Sequence, residues 1–144
     1  MPYSTLTDIK KLIPEETVIQ LTDDENTGAV VESRVTEAIA QADAEIDSYC
    51  GGRYTVPFAT VPDIVKKISV DIAIYNLYSR KVEELPETRS DRYKNAIRQL
   101  EGISKGLISI GEADAPPAST SEGGIETNKT EDDRIFTRDK LGGF

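Results

Sequence analysis

Histidine is absent from this 144-residue sequence, and cysteine occurs once, at Cys50. The first absence removes the commonest general base and the commonest metal ligand. Ser-His-Asp and Cys-His catalysis go with it. The second leaves Cys50 no intrachain disulfide partner and zinc no thiolate set. Aromatic residues are only 6% of the chain while charged residues are 30%, a balance that favours helices over an aromatic-rich β-sandwich. No apolar run reaches the ~18 residues of a membrane span. The opening "MPYSTLTDIKK" lacks the basic flank and apolar stretch of a signal peptide. An enzyme built from this chain would have to work with carboxylates, Lys, Tyr or a bound ion.

Positive charge is also in deficit. With 26 acidic and 17 basic residues the formal charge is −9. Such a surface does not draw in nucleic acid by counterion release, nor an anionic membrane. The expected partners are proteins, with no sequence-specific nucleic acid and no membrane among them.

What is present reads as helix. "STLTDIKKL" is a short helix for which Ser4, Thr5 and Thr7 compete as cap, with Leu6, Ile9, Leu12 and Ile13 as its apolar stripe. Pro14 opens the next turn, "PEETVIQL". After the polar "TDDENT", Asn26 or Thr27 is expected to cap a long amphipathic helix running to about Tyr49. Val31, Val35, Ala38, Ile39, Ala42, Ile46 and Tyr49 recur there at three- and four-residue steps. The next helix, from Pro62 to about Lys81, is apolar nearly all round and is therefore the central, most buried one. A last helix over roughly 88–105 carries Tyr93, Ala96, Ile97, Leu100, Ile103 and Leu107, with Gly106 as its stop. The fold class is all-α: a small bundle of four to five helices with an extended C-terminal tail.

Three regions follow: a helical domain over 1–110, an acidic linker over 111–133 and an apolar docking segment over 134–144. The linker, rich in Pro, Gly, Ser, Thr and acids, cannot offset its ordering entropy. Ile135, Phe136, Leu141 and Phe144 restore apolar surface in the last segment. Their burial and the ordering of the segment are comparable in size. The segment alone should bind weakly, and gains from backbone hydrogen bonds or from many copies acting together.

Candidate chemistry is thin. Cys50 sits at a helix C-terminus, where the dipole disfavours a thiolate. Gly51 and Gly52 follow a helix, whereas a phosphate-cradling loop precedes one. They read as a helix stop with one glycine left-handed. "DDENTG" places Asp23, Glu25 and Thr27 as the front of a calcium loop, but its twelfth position is Arg34 rather than Glu. Asp71, in the middle of the most apolar helix, needs a cation if buried. Arg53, Arg80 and Lys67 are the candidates, and the favoured pair is Arg53–Asp71. In "RYTVPF" Pro57 holds the chain extended, with Tyr54, Val56 and Phe58 crossing the bundle or forming an edge strand or arm. No catalytic residue, metal site or cofactor is expected.

The runs "ADAEIDSYCGGRYTVPF", "VPDIVKKISVDIAIYNLYSR", "RYKNAIRQLEGISKGLISIG" and "RIFTRDKLGGF" together resemble the neck protein of Mu-like phages and prophages. The resemblance covers nearly the whole chain. It implies an all-helical head-completion or adaptor protein, without enzymatic activity, that forms a ring between the portal and the tail. It implies partners among copies of itself, the portal and tail-completion proteins, and residence in the host cytoplasm and then the virion neck. The corner at Gly51, Gly52, Arg53, Tyr54 and Pro57 would shape subunit contacts, and Ile135, Phe136, Leu141 and Phe144 would dock. Two other readings stand beside it: a non-catalytic module binding one regulatory partner, and a metal-assisted hydrolase using Asp23, Asp24 and Glu25.

Overall fold

The computed structural model describes residues 1–81 and 84–114. Five helices are found there and no strand: α1 (Leu6–Lys10), α2 (Glu15–Thr22), α3 (Glu32–Cys50), α4 (Asp63–Ser79) and α5 (Glu87–Ser104). The all-α bundle expected from the helical periodicity is the observed architecture. No described helix is long and apolar enough to cross a membrane.

α4 packs against each of the other four helices. Its Val65, Ile68, Ile72, Ala73 and Leu77 are fully buried. Each large apolar side chain so buried contributes roughly 1.5–3 kcal/mol. Facing them are Val35, Ala42 and Ile46 of α3, and Ala96, Leu100 and Ile103 of α5. The two short helices add Ile9, Ile13, Val18 and Leu21.

Local chemistry decides where the helices start and stop. Of the three candidate caps, Thr5 takes the role: its hydroxyl accepts from Asp8 N–H while the Asp8 carboxylate accepts from Thr5 N–H. Ser4 is instead buried against Ser69, oxygen to oxygen at 2.8 Å. α3 begins later than expected, at Glu32. Asn26 and Gly28 are left-handed, with φ of 56° and 76°, and Thr27 serves the preceding loop, so neither Asn26 nor Thr27 can cap. α2 ends with its last carbonyls held by cations: Lys81 on Gln20, Arg80 on Leu21 and Arg34 on Thr22.

α5 ends as read, at Gly106, where φ is +76°. Leu107 N–H bonds Gly102 O at 2.8 Å and Gly106 N–H bonds Ile103 O at 3.1 Å, the paired closure of a left-handed C-terminal cap. The reversal turns Leu107 outward, 81% exposed, so it does not extend the stripe of α5. Ile110 enters the core instead and Ile108 packs against it. Leu12 is likewise exposed, because α1 ends at Lys10 before the stripe reaches it.

Candidate functional site at the helix corner

After Cys50 the chain turns in place of extending. Gly51 keeps right-handed helical angles, φ −63° and ψ −20°. The helix stops here as expected, but neither glycine of the pair is left-handed. What Gly51 supplies is room: a Cβ there would stand 2.9 Å from Asp47 O. Arg53 and Tyr54 N–H groups both return to Cys50 O, at 3.0 and 2.8 Å. Tyr54 and Phe58 are buried, Val56 half-buried and Pro57 exposed, so "RYTVPF" crosses the bundle as an irregular segment rather than as a strand.

The corner is pinned from two sides. On one side Tyr3 donates its hydroxyl to Asp47 and accepts from Phe58 N–H at 3.1 Å. Tyr3 N–H binds Asp43 Oδ2 at 2.9 Å, and Ser69 donates to Asp43 Oδ1 at 2.8 Å. Burial, then the bond to Asp47, pushes the Tyr3 hydroxyl well above the usual phenol range. Burial raises Asp43 as well, against the bonds from Tyr3 and Ser69. On the other side Arg53 holds Asp114 through both of its acceptors, Nε to Oδ1 at 2.9 Å and Nη2 to Oδ2 at 3.3 Å. The same guanidinium lies 5.8 Å from the Tyr54 ring centroid and against Gly106.

Arg53 does not pair with Asp71. Asp71 is met by Lys67 at 3.1 Å, one of the local candidates, and by Arg92 of α5 at 3.4 Å. Its side chain is buried on the α5 side of α4, whereas Arg53 is drawn to the segment that follows α5. The expected corner-to-α4 pin is therefore replaced by an α4–α5 link and a separate clasp on residue 114.

Little of this is reactive. The buried Cys50 thiol is pushed up to about 11, by burial first and the Asp47 charge second. In the acidic loop Asp23 turns both oxygens inward, onto Thr27 N–H and Oγ1 and Gly28 N–H at 2.7–3.0 Å, and these backbone bonds hold its carboxyl low. Asp24 is gathered by Arg80 at 2.9 Å, Arg34 at 3.0 Å and Lys81 at 3.8 Å. These two acids are spent on the loop and on cations. Among the described residues no three His, Cys, Asp or Glu side chains come together as a metal would need. Ile135, Phe136, Leu141 and Phe144 lie outside the described residues.

The family model described as Bacteriophage Mu, Gp36 matches residues 3–128. This chain belongs to the Mu Gp36 family. The Mu-like prophage FluMu protein gp36 of Haemophilus influenzae is 39% identical over 93 residues, which are 65% of this chain and 64% of that protein. Gene product J of Escherichia phage Mu is 26% identical over 144 residues, 99% of each chain. The Gp36 match takes in the pinned Tyr3, the corner and Asp114 alike.

Sequence reasoning missed Tyr3, Asp43, Asp47, Ser69 and Asp114 as corner partners. Asp43 and Asp47 stand four apart beside the apolar face of α3, a spacing that places them on one side of the helix. That much was available. Their partners lie 26 to 44 residues away, and Asp114 lies 61 residues from Arg53.

Proposed function

We propose that this chain is a structural subunit of the head–tail connector of a Mu-like phage or prophage, assembling as a ring between portal and tail and carrying out no catalysis. The observation that carries the reading is the Arg53–Asp114 clasp within a member of the Mu Gp36 family. It ties residue 114, the last described, to the corner of the bundle, so that a docking segment further along the chain is tethered at a fixed point. The charge of −9 suits a passage that must not hold DNA. Copies of this chain, the portal and tail-completion proteins are its partners. It resides in the host cytoplasm during assembly and in the virion neck thereafter.

Deleting the gene from an inducible Mu-like prophage tests this. DNA-filled heads and finished tails should accumulate unjoined, complementation should restore joining, and antibody should label the neck. Infectious particles made without the chain, or label placed elsewhere on the particle, would sink the reading.

A further inference from the structure

A groove runs along the outer face of α3, walled on its other side by the first residues of the chain. Two adjoining hollows of about 380 and 430 Å³ form it, sharing Pro2 and Thr36. Leu6, Val35 and Ile39 line the end nearer the start of α3, and Ala40 and Ala44 the end nearer the corner. The charged side chains along it are Glu32, Asp43 and Asp47, three acids against the single α-amino group of Met1.

We propose that this groove is the seat of the chain's own segment Arg134–Phe144 in the free protein. The charges match: Arg134, Arg138 and Lys140 outnumber Asp139 in that segment, opposite a groove with acids at both ends. The apolar residues match as well, Ile135, Phe136 and Leu141 having a floor of Leu6, Ala40 and Ala44 above the buried Val35 and Ile39. So does the length. At about 3.3 Å per extended residue, Ile135 to Leu141 covers roughly 20 Å. At 1.5 Å per helical residue, Glu32 to Asp47 covers roughly 22 Å.

The clasp selects the chain's own groove over a neighbour's. Arg53 holds Asp114 at the corner, six residues along the chain from the Asp47 that lines the groove. Residues 115–133 then join Asp114 to Arg134, and nineteen residues reach at most roughly 65–70 Å. A tether of that kind presents its end at an effective concentration on the order of millimolar. A second copy at micromolar concentration competes poorly. The segment must leave this seat before any other surface can take it.

The test places a photo-crosslinking phenylalanine analogue at position 136 of the full chain. Crosslinks should fall within one chain, on Pro2–Leu6 and Thr36–Ala44, with a yield that does not change with protein concentration. Ala40→Arg, at an exposed position, should abolish them while the helical circular dichroism is retained. So should reversing Arg134, Arg138 and Lys140 to Glu. Crosslinks joining two copies and rising with concentration would overturn the assignment, as would crosslinks off the groove or a yield indifferent to Ala40→Arg. All of these are read on the isolated protein. They stand or fall separately from the head–tail joining experiment.

Discussion

Arg53 lies so close over Gly106 that a Cβ added there would sit 1.7 Å from Nη1. The two residues are 53 apart in the chain, one at the corner after α3 and the other at the stop of α5. Gly106 is thus required twice, by its left-handed backbone and by the guanidinium above it. The closeness is what allows Arg53 to reach past the stop and hold Asp114.

Gly106→Ala should therefore cost about 1–2 kcal/mol for the left-handed backbone, and should also displace Arg53 from Asp114. The second effect is small, because Arg53 is about a third exposed and its pair with Asp114 is a surface one. Urea unfolding of Gly106→Ala, Arg53→Ala and the double variant separates the two. The double variant should be less destabilised than the sum of the singles. Strict additivity would mean that the guanidinium does not rest on Gly106.

Asp71 gives the contrasting case. Its side chain is 2% exposed while those of Lys67 and Arg92 are 57% and 39% exposed. Removing the acid frees two cations that water can take over, so Asp71→Ala should cost only about 1–2 kcal/mol. Removing Arg92 leaves the buried acid to Lys67 alone. A double-mutant cycle on Asp71 and Arg92 should show coupling of about 0.5 kcal/mol or more, and one on Arg53 and Asp71 none beyond about 0.3–0.5 kcal/mol. Coupling in the second cycle would restore the pair that the sequence suggested.

How far the sequence reached depends on separation along the chain. The helices were legible because apolar spacing and caps are local, as α4 with its Pro62 start and nearly continuous apolar surface illustrates. The stop at Gly106 was legible for the same reason. The left-handed glycine expected at the corner was misplaced, because close approach to Asp47 O, and not the sign of φ, is what selects Gly51. Arg53–Asp71 failed as a pairing because opposite charges in a sequence rich in both signs leave many matches open. Only the packed helices decide that Arg92 faces Asp71 and that Asp114 comes back to Arg53.

Asp8 should govern the acid limb of stability. Burial works against its charge, yet bonds from Thr5, Lys11 and Lys66 prevail and hold the carboxyl down at about 2. An acid whose folded value lies below its unfolded one stabilises the fold above the unfolded value, near 4. That contribution is lost as pH falls from about 4 through about 2. Its size is at most about 2 kcal/mol, since Lys11 and Lys66 are well exposed. Asp8→Asn should therefore be less stable than the parent at pH 6 and converge with it near pH 2. A constant gap across that range would remove Asp8 from the account. Asp43 works with the opposite sign: its raised value means that protonation favours the folded state as pH drops below that value.

Cys50 should be chemically silent in the folded protein. With the thiol pushed to about 11, the thiolate fraction at pH 8 is roughly 10²-fold below that of an ordinary cysteine near 8.5. Burial of the sulfur lowers access further. A disulfide-exchange reagent added at pH 8 should label the native chain at least roughly 10²-fold more slowly than the chain in urea. Equal rates would show that the corner opens readily.

Tyr3→Phe tests the side of the corner away from Arg53. The change keeps the ring that packs on Phe58 at a centroid distance of 5.7 Å, and removes only the oxygen. That oxygen is the acceptor for Phe58 N–H and the donor to Asp47. Its loss leaves a buried amide without this partner, which costs about 1–3 kcal/mol. Tyr93→Phe is the control. Its hydroxyl meets Glu45 at 3.1 Å at a half-buried site, so its loss should cost about 0.5–1 kcal/mol. The effect at Tyr3 should also be directional. Amide exchange should rise at Phe58 and along Tyr3 to Leu6, because the hydroxyl ties the first residues of the chain to the corner and they wall the groove on α3. Equal stability losses at Tyr3 and Tyr93, with exchange unchanged at Phe58, would show that the ring alone holds the corner.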